Sequence, residues 1–362
     1  MSDGAPAPAG HDMNDAIVAA VRAAQASSTP LYISAGGSKR RIAGRDCPGD
    51  PLDVSGHRGI VDYQPRELVI TARAGTPVTE IETALAAEGQ QLAFEPPTCG
   101  GRSTLGGTLA SNLSGPARPW AGAARDAVLG VKLVNGRGEL LNFGGKVMKN
   151  VAGYDVSRLQ AGALGTLGVL SEISMKVTPR PQTSVTLCYD ADAASALATM
   201  HRRAALPAPL NGACWFDDKL YLRLTGADSA VRQTAAEWGG DMLDASEAPW
   251  EDLRELTLPF FRGDAPLWRL SHSATAPFDT RAGATLIDWG GALRWLRGDR
   301  EDTALYAAAQ RNGGHACLFR GGDRAGEVRG PLDQVQRRLH RRLKQAFDPA
   351  GILNPGRLYS WL

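Results

Sequence analysis

Apolar residues recur with a helical period at both ends of the chain and in short strand-like runs between them. Ile17, Val18, Val21 and Ala24 fall on one helical face, with Asn14 or Asp15 placed to cap it. Pro30 then introduces the short strand LYIS, which runs into AGGSK. ELVITARAG reads as a strand, followed by Thr76 as N-cap, Pro77 at the first helical position, and Val78, Ile81 and Leu85 on one helical face that Gly89 closes in the left-handed conformation. AVLGVKLVNGRGELLNF gives two strands around NGRG, where Asn-Gly accepts positive φ. In ISMKVTP, Ile173, Met175 and Val177 alternate with Ser174, Lys176 and Thr178, which predicts a half-buried strand stopped by Pro179.

From about residue 182 the pattern changes. The strand-like pieces SVTLCYD, KLYLRLTG, LWRLSHS and HACLFRG are separated by helical ones, ASALATMHRRA and ADSAVRQTAAEWGG, and six of the eight tryptophans fall here. That mixture predicts an α+β unit. Near the end, Leu332, Val335, Leu339, Leu343 and Phe347 form one apolar stripe of a helix that Asp348-Pro349 terminates. The expected organisation is a mobile tail at 1–12, a first domain at 13–180, an α+β cap domain at 181–325, and a helix and closing segment at 326–362 that return to the first domain.

Charge excludes more than it assigns. Forty basic and 38 acidic residues give a formal charge of +2, too weak a field to argue for nucleic acid. Arg337, Arg338, Arg341, Arg342 and Lys344 make a local basic face, read either as a solvated helix surface or as a docking surface for a partner subunit or an anionic membrane. The cysteines at 47, 99, 188, 214 and 317 are widely scattered and lack metal-ligand spacing, so no metal is expected and a reduced, cytoplasmic protein is. The opening MSDGAPAPAGHD has neither a basic region nor an apolar core of a signal peptide. No run is apolar enough to span a bilayer, so any membrane association would be peripheral, at the inner face.

Three glycine clusters carry the candidate chemistry: SAGGSK, CGGRSTLGGTLASNLSG and GALGTLG. Glycine lets backbone N–H groups approach a phosphate or a flat ring. None of the clusters is GxGxxG with a following acid or GxxxxGK[ST], so ordinary Rossmann and P-loop readings fail. In the second, Ser103 or Thr104 can cap a helix whose N-terminus would face an anion.

The order PLYISAGGSK, VITARAGTPVTEIETALAAEGQQLAFEPP, STLGGTLASNLSGPARPWAG, RDAVLGVKLVNGRGELLNFGGKVMKNVAGYD, LQAGALGTLGVLSEISMKVTPRP, with FDPAGILNPGRL at the end, resembles the vanillyl-alcohol oxidase family, whose FAD-binding domain is called PCMH-type. The resemblance implies an α+β fold with an FAD domain of two α/β subdomains and a smaller α+β cap. Within the family, KNVAGYDVSRLQAGALGTLG is most similar to the FAD-binding E subunits of glycolate oxidases. That implies oxidation of a small 2-hydroxy acid, glycolate to glyoxylate, in a complex with a larger FAD-containing subunit and an iron–sulfur subunit. It also implies cofactor contacts from Ala35, Gly36, Gly37, Ser38 and Lys39, from Pro97, Thr98, Leu105, Gly106, Gly107, Ser111, Asn112 and Gly115, and from Gly162, Gly165, Thr166, Gly168 and Val169. Covalent members carry a histidine in the first loop where this chain has Ser38, so the FAD is expected to be non-covalent.

Oxidising a 2-hydroxy acid needs a group to take the hydroxyl proton and a cation for the carboxylate. His272, Arg320 and Arg357 are the candidates, with a structural role in NPGRL an equal reading for Arg357. Arg223 and Arg269 are further substrate-binding candidates should the chain act alone. Two alternatives therefore stay open beside the complex: a self-sufficient FAD-dependent dehydrogenase, and a flavin-fold assembly subunit without catalysis of its own.

Overall fold

The computed structural model describes residues 11–145, 154–278 and 283–362; most of the expected tail and the stretch KVMKNVAG lie outside them. The first helix, Asn14–Ser27, buries Ile17, Val21 and Ala24. Its cap differs from the expected one: Met13 holds the N-cap position with no side-chain bond. Asn14 instead accepts a hydrogen bond from Ser171 Oγ at 2.6 Å, which pins the helix to the neighbouring sheet. Strands Leu31–Ser34 and Asp50–Asp53 pair in parallel, and Leu31 also bridges Leu353, so the last residues of the chain lie beside the first strand.

A five-stranded antiparallel sheet follows, in the order Ile60–Gln64, Val69–Arg73, Val169–Lys176, Val128–Val134 and Leu140–Gly144. The strand expected to be half-buried is the central one, buried at every position from Val169 to Met175. Its polar residues are tolerated because they are paired, as in the Thr71 Oγ1–Ser174 Oγ hydrogen bond of 2.8 Å. Helices Val78–Ala87 and Leu105–Ser111 pack on this sheet through Val78, Ile81, Leu85, Leu105 and Leu109. Pro77, with extended ψ of 139°, takes the N-cap place expected for Thr76, whose hydroxyl instead closes on the backbone of Gly59. In the NGRG turn Gly138 carries the positive φ, while the Asn135 side chain accepts from the N–H groups of Arg137 and Glu139.

The second large sheet has eight antiparallel strands in the order Asp241–Met242, Thr183–Asp190, Lys219–Gly226, Leu210–Phe216, Thr285–Asp288, Leu293–Arg297, Leu267–Ser271 and His315–Arg320. Helices Ala193–Ala204 and Asp228–Trp238 cover one face through Leu197, Met200 and Val231. The opposite, inner face carries Phe216, Leu267, Trp295, Cys317 and Phe319 and packs on Ala43 and Leu113 of the first half of the chain. Bonds from Ala43 N to Phe319 O at 3.0 Å and from Trp289 Nε1 to Gly115 O at 3.0 Å stitch the two halves together.

The C-terminal helix, Gln334–Phe347, forms as its spacing predicts, but it is rotated from the expected orientation. Val335 and Leu339 are 56% and 51% exposed, and Lys344 is the helix residue that is buried. A lysine can take that place because Thr166 O, Leu353 O and Asp348 Oδ2 receive its ammonium.

Candidate functional site

The three glycine clusters converge on one cleft, lined by residues 32–40, Thr104, Gly106, Gly107, Ala110, Ser111, Leu164, Gly165, Gly168, Leu170, Asn354 and Arg357. Topology brings them together: the first loop leaves the parallel pair, the second opens the Leu105–Ser111 helix, and the third enters the central strand at Val169. Asn354 joins the first to the third, accepting from Ile33 N and donating to Leu164 O, both at 2.7 Å.

The glycines do two different jobs. At Gly36 a Cβ would lie 1.8 Å from Arg102 O, at Gly106 2.7 Å from Ala74 Cβ, and at Gly168 2.9 Å from Leu133 Cδ1. Those positions are bare so that protein can pack on protein. Gly37, with φ +66°, has nothing within 4 Å of a built Cβ, and Gly107 meets only Thr104 Oγ1 at 3.3 Å and Lys39 Nζ at 3.9 Å. These two face the cleft.

The cleft suits an anion at its first loop rather than at the helix N-terminus. Thr104 caps the Leu105–Ser111 helix as expected, but the amides that follow it are spent internally, Leu105 N on Thr76 O, Gly106 N on Ala74 O and Gly107 N on Thr104 Oγ1. By contrast, the N–H groups of Gly36, Gly37, Ser38 and Lys39 have no acceptor among the described residues. Beside them the Lys39 ammonium is bound by two hydroxyls, Ser103 Oγ and, at 3.3 Å, Ser38 Oγ, with no carboxylate in contact. Burial pushes its pKa below the usual lysine range. A row of bare amides and a half-buried cation with no carboxylate in hydrogen-bond contact make a cradle for a pyrophosphate.

Several expected contacts lie elsewhere. Leu105 and Val169 are in the core, and the hydroxyl of buried Thr166 donates to Ala163 O. Asn112, Gly162 and Thr166 border a separate cavity beside His340 and Leu343. The N–H groups of Thr98 and Cys99 are held by the Glu255 carboxylate at 2.9 and 2.7 Å, while Pro97 and Gly115 line a smaller cavity against the eight-stranded sheet. His272 sits in a cavity with Arg294 and Leu305 on the other side of that sheet. Arg320 donates to Phe261 O. Arg357 donates to the carbonyls of Arg45, Lys39 and Arg40, a backbone-holding role that takes the donors a carboxylate clamp would need. Tyr32, Ile33, Arg40, Leu164 and Asn354 were not read from the sequence as cleft residues, because nothing in their local pattern marks them; contact across more than 300 positions brings Asn354 in.

The family model described as FAD binding domain matches residues 12–144, and that described as FAD linked oxidases, C-terminal domain, matches residues 321–358. Glycolate oxidase subunit GlcE of Escherichia coli is 46% identical over 97% of this chain and 99% of its own length. The chain belongs to the GlcE family of FAD-linked oxidoreductases. The chain is an α+β protein, and its residues 12–144 match an FAD-binding domain. Glycolate oxidase subunit GlcD of Bacillus subtilis is 34% identical over 42% of the chain and 33% of its own length. In fold, the chain is similar to alkyldihydroxyacetonephosphate synthase (TM-score 0.66, 16% identity, 96% of this chain and 75% of that one). It is likewise similar to 4-ethylphenol oxidase from Gulosibacter chungangensis (TM-score 0.65, 15% identity, 97% and 88%). Among the described residues no helix is long and apolar enough to cross a membrane.

Proposed function

We propose that this chain is the FAD-binding subunit of a glycolate oxidase complex, holding FAD non-covalently while the complex converts glycolate to glyoxylate. The observation that carries the reading is the end-to-end 46% identity with the Escherichia coli glycolate oxidase subunit. The half-buried Lys39 ammonium and the open amides of residues 36–39 support a pyrophosphate-containing cofactor in the first loop. Ser38 gives the flavin no imidazole to bond to. Bound there, FAD supplies a two-electron acceptor; the chain's own residues bind it, orient it and exclude water.

In this reading residues 13–180 and 326–362 build the FAD domain and 181–325 the cap, and the partners are a larger FAD-containing subunit and an iron–sulfur subunit. The assembly works on the cytoplasmic side, peripheral to the inner face of the membrane. Co-purification from cells, with visible spectrum and iron content recorded, tests it. A yellow chain accompanied by a second flavoprotein and an iron-containing partner is expected. A solitary yellow monomer oxidising glycolate at full enzymatic rate would sink the subunit reading.

A further inference from the structure

The C-terminal helix, Gln334–Phe347, turns its apolar stripe outward. Val335 and Leu339 are both more than half exposed, Ala346 is exposed and Leu343 is half-buried, at the three- and four-residue spacing along which helices pair. Every residue from Asp333 to Leu339 is exposed, so the first two turns stand clear of the body. On the opposite side Lys344 is buried, and the Trp361 ring lies 4.8 Å from the Arg337 guanidinium and 5.4 Å from that of Arg341. An amphipathic helix that belonged to this chain alone would lie the other way round, with the apolar face down. The seam is open to a second helix.

Charge says what kind of helix fits. The segment QVQRRLHRRLKQAF carries Arg337, Arg338, Arg341, Arg342 and Lys344 and no carboxylate. Arg337 and Arg341 are engaged by Trp361, and Lys344 by Asp348. Arg338 and Arg342 have no partner among the described residues. At 3.6 residues per turn they lie roughly 60° and 20° around the axis from Val335, on the flank opposite Leu339 and Leu343, so an unpaired cationic row borders the apolar stripe. A second copy of the same face would set arginine rows together with no carboxylate between them. A lipid surface fits less well than a protein, because the outward face offers two exposed aliphatic side chains and no aromatic ring to enter the headgroup boundary.

We propose that this face docks an amphipathic helix of a partner subunit, whose apolar stripe packs on Val335 and Leu339 while its carboxylates pair with Arg338 and Arg342. The proposal deepens the subunit reading above and rests on it for the presence of a partner. On the other side of the same helix Lys344 donates to Thr166 O in the third glycine loop. The docked helix therefore sits about one helix diameter, roughly 10–12 Å, from that loop.

The test uses the full chain co-expressed with the larger flavoprotein subunit and the iron–sulfur subunit. In Arg338→Lys and Arg342→Lys, zero-length carbodiimide coupling should join the introduced amine to an Asp or Glu of one of those subunits, located by peptide mass spectrometry. The double charge reversal Arg338→Glu/Arg342→Glu, and separately Leu339→Glu, should raise the dissociation constant of the complex at least tenfold. The chain alone should keep its melting temperature and FAD content in each variant. An intact complex of unchanged affinity in both, or cross-links confined to this chain, would overturn the proposal and leave the subunit reading standing. Binding of the wild-type chain to phosphatidylglycerol vesicles that the double reversal abolishes, with the complex unaffected, would overturn it in favour of a membrane. A homodimer that the same variants dissociate would overturn it in favour of a second copy. Failure of the wild-type chain to join either co-expressed subunit would remove both this proposal and the subunit reading.

Discussion

Lys344 and Asp348, one helical turn apart, form an ion pair of 2.7 Å in which the Asp348 side chain is wholly buried. The pair is a junction. Lys344 also donates to Thr166 O in the third glycine loop and to Leu353 O in the closing segment, while Asp348 accepts from Ile352 N and Leu353 N. One helix end thereby holds the third glycine loop to the chain's return beside the first strand. Lys344→Met would strand a buried carboxylate, and a loss of about 3–5 kcal/mol is expected in urea denaturation. Arg342→Met, on the exposed side of the same helix, should stay within about 0.5 kcal/mol of wild type. Equal effects of the two would show that the junction is not structural.

Gly36 and Gly37 should respond differently to one added methyl. Gly36→Ala drives Cβ to 1.8 Å from Arg102 O and should fail to yield stable protein, because both contacting segments are backbone. Gly37→Ala meets open space and carries the strain of φ +66°, about 1–2 kcal/mol. Soluble yield and thermal melting separate the two. A Gly37→Ala protein less stable than Gly36→Ala would contradict the division of labour among the glycines.

Asp288 makes stability depend on pH. Burial raises its pKa to about 8 in the folded protein from an ordinary value of 3.8, so the folded state holds a proton that the unfolded state has lost between these limits. Its contribution is therefore most favourable below about pH 4 and declines as the pH rises through 8. Asp288→Asn removes that decline. The melting temperature of the variant relative to wild type should rise between pH 5 and pH 8.5, and a constant difference would show that Asp288 is ionised throughout.

The parts of this fold legible in the sequence are those where one short segment suffices. The 14-residue C-terminal helix and the strand of the first loop both follow from local pattern. Burial was less legible, because VLSEISMKV and QVQRRLHRRLKQAF each place polar residues where long-range partners satisfy them. Ser171 finds Asn14, and Lys344 finds two carbonyls and Asp348. Strands Leu210–Phe216, Thr285–Asp288 and Leu293–Arg297 escaped because they lie inside a sheet covered on both faces and so lack clean alternation. The glycine loops were visible as a set, whereas which glycines face the cleft depends on Arg102, Ala74 and Leu133, which nothing in the sequence pattern brings near.

Lys39 tests the account most directly. The purified chain should hold FAD that acid precipitation releases completely into the supernatant, as a non-covalent cofactor requires. Lys39→Met should keep a wild-type circular dichroism spectrum while its FAD dissociation constant rises at least tenfold, the loss expected for a charge-assisted hydrogen bond of about 1.5–3 kcal/mol. Flavin that stays with the precipitated protein, or a Lys39→Met chain that binds FAD as tightly as wild type, would contradict it.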